Sequence, residues 1–207
     1  MESTASIERG QRGPVEHERR EQIIRAADEH FRRYGYNKTT VADLAKAIGV
    51  SGAYVYRFFE SKQAIGEAVC AMTLARIDTE LLELAADSQQ SAANRLRSLY
   101  RCLAERGIEL FFKERKLHDL VVAAVENRWP PVLQHKAAML QAAQVVVMDG
   151  RASGEFERKT PLDEICRAIT ETLEPFAHPM LLELKEPAEL EASVVAVSNL
   201  VLRSLAP

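Results

Sequence analysis

TTVADLAKAIGVSGAYVYRFFESK, residues 39–62, is two short apolar-patterned segments joined by a Gly-Val-Ser break. Val41, Leu44, Ala45 and Ile48 fall on one face at helical spacing. Thr40 with Asp43 three residues later is the pattern of an N-terminal cap, and Asp43 suits the positive end of the helix dipole. Gly49 is placed to close that helix, because glycine adopts the left-handed C-terminal conformation without steric cost. Ser51 can cap a second helix that turns Val55 and Phe59 inward. Two short helices about three residues apart, with a glycine between them, predict a helix-turn-helix. In that motif the second helix lies in the major groove of DNA with its N-terminal residues toward the base edges.

The second helix offers DNA a defined set of groups. Gly52 and Ala53 are small, so backbone can approach the groove floor. Tyr54 and Tyr56 present a flat apolar ring and a hydroxyl, suited to thymine methyls, base edges or phosphate. Lys62 follows Ser61 at the start of the next helix, where an ammonium and a helix N-terminus can hold one phosphate together. A competing reading makes Tyr56 and Phe58 core aromatics of a helical bundle; for Val55 and Phe59 the core reading is the better one.

The pattern R-x-x-I-I-x-A-A-x-x-x-F-x-x-x-G-Y-x-x-T-T-V-x-D-L-A at residues 20–45, followed by G-V-S-x-x-x-V-Y-x-F-F-x-S-K at residues 49–62, resembles the TetR/AcrR transcriptional regulators. The resemblance implies a dimeric all-helical repressor whose first three helices bind an operator and whose remaining helices bind an inducer. By position it also implies that Thr40, Ala42, Gly52, Ala53, Tyr54, Tyr56 and Lys62 touch phosphate or bases. The chain departs from the pattern at Tyr54, where a smaller residue is usual, and at Arg57, where an aromatic is frequent. Both departures imply an operator sequence of its own.

Length and composition agree with an all-α protein. The chain has 207 residues, 47% of them apolar and 6% aromatic, with 9 glycines and 8 prolines, enough for a sizeable core. The net charge of −3 excludes a generic polyanion binder. Residues 1–62 carry 11 Lys and Arg against 9 Asp and Glu, and the remainder 16 against 21, so the small basic surplus lies with the helix-turn-helix. Cys70, Cys102 and Cys166 are scattered and odd in number, which implies neither a disulfide framework nor a zinc motif. The first 20 residues lack an apolar signal core, and no apolar run approaches a membrane span. A cytoplasmic protein away from membranes is expected.

Residues 1–15 are polar, without periodicity, and are expected to form a disordered arm. The helix-turn-helix domain then occupies residues 16–62, opening with a helix over 16–34 that carries Ile24, Ala27 and Phe31. A helical effector-binding and dimerisation domain takes residues 63–207. Its helices are expected near 61–86, 91–112, 114–127, 131–151, 161–177 and from 187 onward. The domain boundary falls inside the long fourth helix, so the joint is stiff. Leu190, Val194, Val197, Val201 and Leu205 form a stripe on the last helix, beside small residues, and the last two helices are expected to pair with their own copy.

A pocket for a small, hydrophobic effector is expected among the fifth to eighth helices, with Tyr100, Phe111, Phe112, His118, Trp129, Met139 and Phe176 as candidate lining. Each of these is also an ordinary core residue in the competing reading. The chain carries no Gly-rich phosphate loop or nucleophile elbow. Its five histidines are dispersed, and no His/Glu pair has metal-ligand spacing, so no enzyme, cofactor or metal is expected. The remaining rival is a helical small-molecule or partner-binding protein whose helix-turn-helix is vestigial.

Overall fold

The computed structural model describes residues 7–110, 115–182 and 186–207, with backbone alone at 7–14, 115, 118 and 179–180. Every regular element among them is helical: α1 (Ile7–Tyr34), α2 (Val41–Ala47), α3 (Gly52–Val55), α4 (Lys62–Ala86), α5 (Ala92–Ile108), α6 (His118–Glu126), α7 (Pro130–Ser153), α8 (Leu162–Ala177), α9 (Pro179–Leu182) and α10 (Pro187–Ser204). A 3-10 turn at Arg115–Leu117 leads into α6.

Two apolar cores form, and α4 belongs to both. Ile65, Val69 and Cys70 pack with Ile23, Phe31, Leu44, Val55 and Phe59 in the first core. Ile77, Leu81 and Ala85 pack with α5, α7, α8 and α10 in the second. Leu74 sits between and touches each. The head and the body therefore share one continuous hydrogen-bonded rod, as the apolar pattern across residues 61–86 anticipates.

The far end of the body is closed by polar ties that join three helices. Arg95 donates to the Ala85 carbonyl at 2.7 Å and to Asp149 Oδ2 at 2.8 Å, linking the ends of α4 and α7 to α5. Glu155 accepts from the backbone N–H groups of Ala92 and Ala93, and Ser91 Oγ accepts from Asn94 N. The first turn of α5 thus has its orphan donors met by two side chains, one from a distant loop.

Two expectations are revised. The helix expected over 16–34 begins at Ile7, so the described part of the arm expected to be disordered is helical; its Glu, Arg and Gln residues are good helix formers even without apolar periodicity. Residues 1–6 lie outside the described set. The α-helical part of the fifth helix runs to Ile108 and continues as a π turn through 109–110, while 111–112 lie outside the described residues. The second revision concerns α6, read from sequence as part of the body: its Leu120 and Ala124, with Leu117 before it and Trp129 after it, complete the core of the head.

Candidate nucleic-acid interface and effector cavity

The helix-turn-helix is built from its own caps. Asp43 N donates to Thr40 Oγ1 at 3.2 Å while Thr40 N donates back to Asp43 Oδ2 at 2.8 Å, a reciprocal box at the start of α2. The Thr40 hydroxyl also donates to Asp43 Oδ2 at 2.6 Å, and this bond first, then the one from Thr40 N, holds the Asp43 carboxyl below its ordinary value. At the other end Gly49 takes φ +70°, Gly49 N donates to Lys46 O at 3.2 Å and Val50 N to Ala45 O at 2.9 Å. That pair of bonds is a Schellman close, available to glycine at little cost. Ser51 Oγ then accepts from Tyr54 N at 3.2 Å and Ser61 Oγ from Ala64 N at 3.1 Å, capping α3 and α4.

These caps divide the segment into two faces. Val41, Leu44, Ala45, Val55 and Phe59 are buried. Thr40, Ala42, Ala53 and Tyr56 are exposed, and Gly52, Tyr54 and Lys62 are half-buried. Tyr56 is 54% exposed, which a core role does not explain. A Cβ on Gly52 would meet nothing within 4 Å, so packing inside the chain does not require glycine there. Tyr54 is braced on one side by Phe58, ring centroids 5.3 Å apart, and on the other by the Arg57 guanidinium at 5.6 Å. Lys62 lies 4.4 Å from the centre of the Tyr36 ring and donates to Asn37 O at 3.4 Å. Partial burial lowers its pKa, and its ammonium is held at the start of α4 rather than trailing in solvent.

Behind the head lies a cavity of about 530 Å³, lined by residues of α4, α5, α6, α7 and α8. Its walls are mostly apolar, among them Leu74, Ile77, Leu103, Val121 and Met139. Of the residues expected to line a pocket, Met139 does so. Tyr100 and Phe176 instead pack edge to face in the body core, 5.8 Å apart at 86°, with the Tyr100 hydroxyl bonded to Thr172 Oγ1. Trp129 packs on Tyr36 in the head core, 5.8 Å between centroids. Large aromatic faces gain most from full burial, and in this bundle the core claims them. Phe111 and Phe112 lie outside the described residues, and of His118 only the backbone is described.

Polar side chains at the cavity were missed from sequence, because their partners are distant along the chain. Arg106 pairs with Glu80 and Glu109, Lys136 with Glu174, and His135 with Asp78 across α7 and α4. Arg128 and His178 also line it. Cys70 and Cys102 are buried, and burial pushes both thiols up to about 12, so at neutral pH they behave as small apolar residues. Among the described residues no group of three His, Cys, Asp or Glu could hold a metal ion. Nor is any of their helices long and apolar enough to cross a membrane.

Comparison with known proteins places both halves of the chain. Residues 23–69 match the model of bacterial regulatory proteins of the tetR family, and residues 92–198 match a tetracyclin repressor-like C-terminal domain. An HTH-type transcriptional repressor of Mycobacterium tuberculosis is 39% identical over 71 residues, 34% of this chain and 35% of that protein. The chain thus spans about a third of the length of that curated relative. Among solved structures, a transcriptional regulator from Cytophaga hutchinsonii superposes with a TM-score of 0.70 at 21% identity, over 90% of this chain and 98% of its own. A TetR/AcrR regulator from Thermobifida fusca gives 0.65 at 20% identity over 89% and 97%. FadR from Bacillus subtilis, solved with stearoyl-CoA, gives 0.63 at 20% over 89% and 98%. At such identity these structures speak to the fold alone. The second match alone covers more than half of the chain, and the chain belongs to the TetR/AcrR family of bacterial regulators.

Proposed function

We propose that this protein is a ligand-responsive DNA-binding regulator, a repressor that leaves a palindromic operator when a small hydrophobic molecule fills the cavity behind its head. It acts in the cytoplasm as a homodimer joined through its last two helices. Thr40, Ala42, Gly52, Ala53, Tyr54, Tyr56 and Lys62 are the residues that meet the duplex. One observation carries the reading. Cys70, Leu117 and Leu120 line the cavity and are at the same time members of the head's apolar core. A molecule that displaces them moves the wall on which α1 and α4 rest, and a rod shared by head and body transmits that shift to the spacing of two heads. A ligand releases DNA only as far as it binds the released state more tightly.

The test is a gel shift on the DNA upstream of the protein's own coding sequence. Binding is expected to fall steeply with salt, as phosphate contact requires. Tyr56→Ala is expected to weaken it by roughly tenfold or more, the scale of losing one or two base-edge contacts, with no change in thermal midpoint because the ring is exposed. Salt-insensitive or absent binding would favour a helical ligand-binding protein with a vestigial helix-turn-helix.

A further inference from the structure

Four described residues have a positive φ, and three are glycines: Gly35, Gly49 and Gly154. The fourth is Arg128, at φ 50°. It closes α6 with the bonds that Gly49 uses to close α2: Arg128 N donates to Val125 O at 3.1 Å, and Trp129 N donates to Ala124 O at 2.9 Å. The left-handed conformation is free for glycine and costs any residue with a Cβ. The backbone at 128 therefore favours glycine, and an arginine there needs a reason in its side chain.

The surroundings supply one. Arg128 lines the cavity, and with Leu133 and Lys136 it is among the exposed lining residues at the start of α7, so the opening lies there. Of the other basic side chains on the lining, Arg106 is neutralised by Glu80 and Glu109 and Lys136 by Glu174, while His135 bonds to Asp78. The Arg128 guanidinium has no carboxylate or hydrogen-bond partner among the described residues. One helical turn beyond Glu174, His178 also lines the cavity, and its Nδ1 is buried without a partner. An apolar chamber thus ends in one guanidinium with no carboxylate partner among the described residues and one buried, unsatisfied ring nitrogen, and the latter costs free energy until a hydrogen-bonding group answers it.

We propose that the cavity takes an aliphatic carboxylic acid, with its tail among Leu74, Ile77, Leu103 and Met139 and its carboxylate on Arg128, with His178 as second partner. This rests on the cavity being the effector site of the proposed function. A planar guanidinium can hold a carboxylate through two parallel hydrogen bonds, and a single cation matches a single charge.

The experiment titrates the full chain with decanoate and with decan-1-ol, following the fluorescence of Trp129, the one tryptophan in the sequence and the neighbour of Arg128. Decanoate is expected to bind roughly tenfold or more tighter than the alcohol. Arg128→Gly should bring the acid down to the alcohol's affinity while leaving the thermal midpoint unchanged or higher, since the backbone strain is relieved. Arg128→Lys should keep part of the preference. Equal binding of acid and alcohol by the native chain, binding of neither, or an undiminished preference in Arg128→Gly would each overturn the assignment. So would a lower thermal midpoint in Arg128→Gly, which marks a structural role. A gel shift on the same preparations separates the two readings: DNA binding without acid preference fells only this inference. Acid preference without DNA binding fells the regulator.

Discussion

Gly66, on the face of α4 that meets the head, shows how much one hydrogen atom in place of a side chain decides. A Cβ there would come within 2.9 Å of both Trp129 Cη2 and Tyr36 Cε2 and 3.2 Å of Leu120 Cδ1. The glycine therefore lets the Trp129–Tyr36 pair lie directly on α4, which is how α6 and the segment after it become part of the head. Gly66→Ala is expected to destabilise the protein by about 1–3 kcal/mol, the range for overpacking a filled core, though alanine is intrinsically the better helix former. A thermal melt followed by Trp129 fluorescence checks it. A midpoint equal to or above that of the native chain would mean the rings have room to move and that the joint is looser than its geometry. Trp129 Nε1 is buried there with no partner among the described residues, so the ring is held by packing, and its emission responds directly to a change at this joint.

At the scale of elements, the helix ends carry much of the architecture, and one of them is pH-dependent. Glu155 Oε1 accepts from Ala92 N at 3.0 Å and Oε2 from Ala93 N at 3.2 Å, and these backbone bonds hold its carboxyl below the ordinary range. A carboxyl depressed in the folded state contributes stability that is whole above its unfolded value of about 4.3 and is lost as pH falls through the lower folded value. Glu155→Gln is expected to cost roughly 0.5–1 kcal/mol near neutral pH, the size of a cap. The gap to the native chain should begin to narrow below about pH 4.3 and close only once the pH has fallen below the depressed folded value, where both carry a neutral side chain. Melts of the two proteins across that range decide it, and a gap independent of pH would assign the loss to packing. The local signals behind α2, α3 and α4 (Thr40 with Asp43, Gly49, Ser51, Ser61) could be read from the sequence because each cap acts within a few residues. Glu155 could not, since its partners lie 62 and 63 positions away. The same limit hid the cavity. Aromatic residues were the natural guess for its walls, yet Tyr100, Phe176 and Trp129 are consumed by the two cores. The polar groups that mark the cavity, Arg128 and His178, stand out only once the helices are packed.

For the whole molecule, the question is what two heads gain over one. The basic surplus in residues 1–62 is small and the net charge is −3, so bulk attraction does little for one head and placement must do more. Joining two heads turns the second contact into an intramolecular one, and avidity of this kind strengthens binding by roughly 10²–10⁴ without any new contact. On α10, Leu190, Val194 and Ser198 are buried inward while Val195 and Leu200 remain 59% and 64% exposed. Apolar groups on a second face of a terminal helix suit a partner copy across a two-fold axis, where one residue placed near the axis is buried twice. Two charges there would meet each other as well as losing apolar contact. The double change Val195→Glu with Leu200→Glu is expected to give a monomer by sedimentation at micromolar concentration. Its thermal midpoint, extrapolated to low concentration, should stay near that of the native chain, since neither side chain is in the body core. Its affinity for the upstream DNA should fall by about 10² or more. A variant that stays dimeric would move the interface off α10. A monomer that still binds DNA with native affinity would mean one head suffices, and the cavity would then have to act within the single chain, through Cys70, Leu117 and Leu120 on the head's own core.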